Sequence, residues 1–231
     1  MYSEQYSNDA IAMQKSFINK VYGWMSVGLF ITAITAYLVA GNSTVLRMVL
    51  GNPILYFGLF ILEIFMVGYL VARIKNMSLQ TATNIFLAYS FVNGLTLSFI
   101  FIAYTKASIA SAFFTSAGMF AVMSIYGYTT KKDLTNFGGF LFMGLIGIVI
   151  ASVVNIFIKN SVFDLMISIL GVFIFTGLTA YDTQKIKNMI FENNNSEEDK
   201  KTAILGALIL YLDFINLFLF LLRLIGGRGR D

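Results

Sequence analysis

The stretch AILGALILYLDFINLFLFLLRL, Ala203–Leu224, decides the fold. It reaches the ~20 apolar residues a helix needs to cross ~30 Å of hydrocarbon. It is continuous and does not alternate in the way of a barrel strand. Six further runs of this kind precede it: Val21–Ala40, Pro53–Ala72, Thr83–Tyr104, Ile109–Thr129, Phe137–Ile158 and Val162–Tyr181. The separators are mostly short. The longest, Asp182–Thr202, holds the polar run from Asn193 to Lys201 and reads as a solvated loop. The pattern predicts an all-α membrane protein, a bundle of seven transmembrane helices forming one integral membrane domain over residues 1–231. The stretch before Val21 is too polar for a cleaved signal peptide and can form a short amphipathic helix before the first span.

Composition agrees with this reading. Of the 231 residues, 58% are hydrophobic, 16% aromatic and only 12% charged, against about a quarter charged in an ordinary soluble domain. So few charges cannot clothe a soluble domain, and disordered chains are poor in aromatics. The sequence has no Cys and no His. Disulfides, thiolate metal sites and Ser-His or Cys-His dyads are therefore excluded. Proton chemistry has to run on Asp, Glu, Lys or Tyr.

The net charge of +4 belongs to the loops and does not point to a nucleic-acid partner. With a cytoplasmic N-terminus, Lys15, Lys20, Arg73, Lys75, Lys131, Lys132, Lys185, Lys187, Lys200 and Lys201 lie inside, ten against the three outer residues Arg47, Lys106 and Lys159. Arg223, Arg228 and Arg230 fall outside if the last run crosses fully, and inside if it is re-entrant. Its length favours a full crossing.

Ionisable groups inside a span are costly and mark functional sites by default. Three stand out: Glu63 in the second run, Asp182 closing the sixth and Asp213 in the middle of the seventh. Asp164, which opens the sixth run, is expected at headgroup level. Asp182 can also be read as a headgroup residue, and Glu63 as a structural anchor bonded to another helix. Asp213 has to face the bundle interior, and Asn216 shares its helical face. Tyr89, Asn93 and Thr96 form a polar stripe on the third run. That stripe fits either interhelical hydrogen bonding or the wall of a water-filled cavity. Two neighbouring carboxyls in a poorly solvated site share a proton. Arg73, with Lys75 behind it, is the candidate cation to hold them. The pair also offers hard oxygen ligands of the type Ca²⁺ prefers, though two carboxylates fall short of a full site.

Ala180-Tyr181-Asp182-Thr183-Gln184-Lys185-Ile186, followed by Leu210-Tyr211-Leu212-Asp213-Phe214-Ile215-Asn216-Leu217-Phe218, resembles the Bax inhibitor-1 family of membrane proteins, and its bacterial branch closely. The likeness covers nearly the whole chain and includes Ile61-Leu62-Glu63. The resemblance implies a seven-helix fold with the last helix central, in the inner (plasma) membrane. It implies a pH-sensitive Ca²⁺ leak whose proton sensor and ion pathway is Asp182 with Asp213. It further implies an arginine of the second helix, for which Arg73 is near the expected place, and a Glu63–Arg223 pair.

Three functions follow as alternatives. The first is a cation leak gated by the aspartate pair, with calcium contacting Asp182 and Asp213 and no other cofactor. The second, also implied by the family, is an interaction protein that restrains a membrane quality-control protease. The third is an intramembrane aspartyl protease. Against it stand the missing Gly-x-Gly before Asp213 and the lack of a Pro-Ala-Leu element, since the only proline is Pro53. No enzymatic activity is expected.

Overall fold

The computed structural model describes residues 2–189 and 197–227. Arg228, Arg230 and the asparagines of the Asn193–Asn195 run lie outside the described residues. Helices account for nearly all the rest: α1 (Tyr2–Gly41), α2 (Ser43–Leu50), α3 (Pro53–Arg73), α4 (Leu79–Leu97), α5 (Ile100–Ala103), α6 (Lys106–Thr129), α7 (Thr135–Ile158), α8 (Ser161–Lys187) and α9 (Glu197–Ile225). Seven helical segments are long and apolar enough to cross a membrane, as the sequence predicts.

The separators act chiefly as caps. Asn52 Oδ1 accepts from the N–H groups of Ile54 and Leu55 at 3.1 and 3.2 Å, and Pro53 starts α3 where its missing N–H costs nothing. Asn160 caps α8 in the same manner, and Ser78 and Thr105 cap α4 and α6.

Three expectations need correction. The N-terminal segment is no separate helix, because α1 runs unbroken through it. Met13, Gln14 and Lys15 are good helix formers, and Phe17, Ile18 and Val21 are buried, so the helix has a packing face there. The separator Gly41–Asn52 contains α2, started by Asn42 and anchored by the buried Val49. The long separator Asp182–Thr202 is shorter than expected, since α8 continues to Lys187 and α9 begins at Glu197. Glu197, Glu198 and Asp199 form the first turn of α9, where negative charge complements the helix dipole.

The helices group into two compact units, Met1–Ala103 with Met189–Tyr211, and Tyr104–Asn188 with Leu212–Asp231. In the first, α1 and α3 pack on α4. In the second, α6 and α7 pack on α8. Helix α9 gives its first half to one unit and its second half to the other. It is also the most enclosed span, with 67% of its apolar window buried against 11% for α3 and α7. Those two helices display Ile54, Phe57, Ile64, Phe140 and Phe157 on their surfaces. That display suits hydrocarbon and would be untenable in water.

Candidate functional site

The second unit builds its site on α8. Helices α6 and α8 approach closely because residue 127 is glycine: a Cβ there would collide with the backbone carbonyl of Ala180. On the other side, the Tyr181 ring lies directly over Gly138 of α7. The next residues each find a partner in turn. Thr183 Oγ1 faces Ser124 Oγ of α6 at 3.5 Å. Gln184 donates from Nε2 to the Lys132 carbonyl at 2.8 Å and accepts from the Leu134 N–H at 2.9 Å. Lys187 Nζ donates to the Tyr128 carbonyl at 2.8 Å. The end of α8 is thereby fixed to the turn joining α6 and α7.

Asp182, held in this frame, is half-buried and faces Asp213 of α9 at hydrogen-bonding contact. Asp213 is 4% exposed, and among the described residues no donor reaches its buried Oδ2. Beside it, Phe214 packs edge-on between Phe113 and Phe120 of α6, with centroids at 5.7 and 5.6 Å, which makes that flank apolar. Two carboxyls so placed can hydrogen-bond only if one carries a proton. The two aspartates picked out in the sequence are therefore brought together just before the end of α8 and at the middle of α9. Helix α9 starts early, at Glu197, so its first turns are polar and lengthen the helix at the front.

Lys185, one turn further along α8, lies within electrostatic reach of Asp182. Its Nζ lies 5.7 Å from the Tyr181 ring centroid. Arg73, the cation expected from sequence, ends α3 and is exposed. Asn216 lies one turn beyond Asp213, but its amide donates to the Leu212 carbonyl at 2.8 Å and serves its own helix. Asp133, in the turn that Gln184 holds, sits below the usual carboxylate range because the Thr135 hydroxyl and N–H both donate to it. It stays ionised where ordinary carboxyls begin to take up protons.

The first unit holds a separate polar cluster. Glu63 of α3 is buried and takes hydrogen bonds from Thr96 Oγ1 at 2.7 Å and Asn93 Nδ2 at 3.3 Å, both on α4. Asn93 Oδ1 accepts from the Tyr211 hydroxyl at 2.9 Å, and that hydroxyl meets Thr32 Oγ1 of α1 at 2.6 Å. Four helices are joined through neutral donors around one carboxyl. The stripe on the third span is thus interhelical hydrogen bonding. Arg223, expected beside Glu63, has Asp164 as its carboxylate partner instead, at 3.4 Å. A guanidinium at the very end of α9 finds the acid at the start of α8 in its own unit.

For a cation, the aspartate pair supplies two carboxylates. Among the described residues no cluster of three or more acidic, His or Cys side chains could hold a metal. Ca²⁺ takes six to eight oxygens, so the pair alone does not complete a Ca²⁺ site.

The sequence pattern of the family described as "Inhibitor of apoptosis-promoting Bax1" matches residues 14–230. The chain is 50% identical to the Escherichia coli protein "Inner membrane protein YbhL", over 93% of this chain and 92% of that protein. It is 45% identical to a Borreliella burgdorferi protein, with 96% of each covered. A Streptococcus pyogenes membrane protein is 37% identical over 91% of this chain and 92% of its own length.

Proposed function

We infer, from the premise that this chain belongs to the Bax inhibitor-1 family of membrane proteins, that it is a pH-sensitive calcium (cation) leak gated by a proton shared between Asp182 and Asp213. One observation carries the reading: a buried carboxyl oxygen of Asp213 has no donor among the described residues, and its neighbour is another carboxyl. With one proton between them, the two side chains join α8 to α9. Raising pH removes that proton, and two like charges then repel at close range in a poorly solvated place. The join loosens, and the freed carboxylates attract cations to the path. Acid restores the proton, neutralises the pair and closes it. Lys185 supplies a local countercharge when the proton leaves.

The rest of the unit suits a moving part held on one side. Gln184 and Lys187 secure α8 to the α6–α7 turn. The change on losing the proton therefore falls at the α8–α9 contact. Placement in the inner membrane with a cytoplasmic N-terminus rests on the ten-to-three bias of Lys and Arg and on the printed name of the Escherichia coli relative. The experiment is calcium flux into proteoliposomes across a pH series, wild type against Asp213→Asn. Flux that rises with pH in the wild type and loses that response in the variant supports the reading. A wild type that passes no calcium at any pH rejects it.

A further inference from the structure

We propose that the pocket between the end of α7, the start of α8 and the end of α9 binds the phosphodiester headgroup of an anionic glycerophospholipid. The cavity is about 630 Å³ and lies at helix ends, where a bilayer places its headgroups. Its charged lining is Lys159, Arg223 and Asp164, a net positive set. Asp164 is already compensated, by Arg223 at 3.4 Å and by the Asn155 amide at 3.5 Å. Its role there is to steady the arginine. That single bond is the only one Arg223 makes among the described residues, so most of the five guanidinium N–H donors remain open to a ligand. The guanidinium carbon lies 5.6 Å from the Phe220 ring centroid, which orients the fork further. Lys159 has no ion pair among the described residues. Asn160 uses its side-chain oxygen on the Val162 and Phe163 N–H groups, and its amide NH₂ is left for another acceptor.

Lys159 is also the one non-glycine residue with positive φ among the described residues, at 54°. It ends α7 in the left-handed conformation that glycine ordinarily supplies. A lysine at a position that favours glycine points to a use for its charge.

The source of the phosphate follows from the apolar neighbours. Val162 and Leu165 line the pocket and are 65% and 48% exposed. A free phosphate gains nothing from these side chains, whereas an acyl chain can lie along them.

The test is a titration of the full chain in detergent with dioctanoyl phosphatidylglycerol, read by thermophoresis. Glycerol 1-phosphate and dioctanoylglycerol serve as separate arms. The wild type is expected to bind the phospholipid at least tenfold more tightly than either. Lys159→Gly keeps the backbone conformation and removes the charge, so it should fold at least as well and bind about fivefold more weakly. Arg223→Gln should lose a similar factor, and if it does not fold, Lys159→Gly decides alone. Lys106→Gln, at the start of α6 and outside the pocket, controls for bulk charge and should bind as the wild type does. Wild-type affinity in Lys159→Gly, or an equal loss in Lys106→Gln, overturns the site. Equal binding of dioctanoylglycerol overturns the phosphate, and equal binding of glycerol 1-phosphate overturns the lipid.

Discussion

Gln184 grips the turn between α6 and α7 at two points, and its firmest partner is Lys132, whose carbonyl accepts the side-chain amide at 2.8 Å. The second bond comes from the Leu134 N–H at 2.9 Å. Two residues away on α8, Asp182 faces Asp213. The grip therefore sets where the first aspartate stands.

Gln184→Ala removes both bonds and leaves a carbonyl and an N–H to water. Each is worth about 1 kcal/mol net. The melting temperature in detergent should fall by roughly 4–8 °C, at about 2–4 °C per kcal/mol for a chain of this size. An unchanged melting curve would show that the turn is held by other contacts.

Gly127→Ala drives a methyl group into the Ala180 carbonyl, which is backbone and cannot turn aside. Gly138→Ala meets the Tyr181 ring. Overpacking of this type costs about 1–3 kcal/mol. Gly139→Ala is the control, because nothing lies within 4 Å of its would-be Cβ. It should hold or raise stability, since alanine is the better helix former. Thermal stability by size-exclusion fluorescence separates the three, and equal behaviour would contradict the close approach of α6 and α7 to α8.

Glu63→Gln keeps the shape of the side chain and an oxygen for Thr96 to bond, so the fold should persist and flux should change only moderately. Glu63→Leu strands the Asn93 amide, at about 1–3 kcal/mol for the unsatisfied group, while the Thr96 hydroxyl keeps the Asn93 carbonyl at 2.9 Å. Retained wild-type stability in Glu63→Leu would show that the network around Tyr211 does not support the first unit.

Much of this was legible in the sequence, and the missing parts have physical reasons. The seven spans declare themselves because nothing else needs apolar runs of such length. Their ends do not, because a helix leaving the membrane carries residues such as Thr183, Gln184 and Lys185 that look like loop. Glu197 to Asp199 likewise read as solvated chain, although negative charge suits a helix start. Asp182, Asp213 and Glu63 could be found because charge in a span is rare. Lys185 carries no signal in the sequence, since a lysine near a span end is an ordinary feature and position along the chain does not reveal which cations lie near Asp182. Tyr211 was hidden because a tyrosine among leucines reads as core until its hydroxyl partners are seen. Gly127 and Gly138 left no signal beyond small size.

The topology is open to a direct check. Ten basic residues on one side against three on the other predict a cytoplasmic N-terminus. Helix α9 is continuous to Ile225, so a reporter fused to the C-terminus should read outside. An inside signal would mean that α9 does not cross.

The most direct measurement is calcium flux against pH in proteoliposomes for wild type, Asp182→Asn and Asp213→Asn. An asparagine cannot ionise, so neither variant can develop the paired negative charge that opens the join as pH rises. The wild-type curve should climb with pH, and both variants should be flat over the same range, whatever level each settles at. Two variants that reproduce the wild-type curve would show that these aspartates are not the sensor and would contradict the gate.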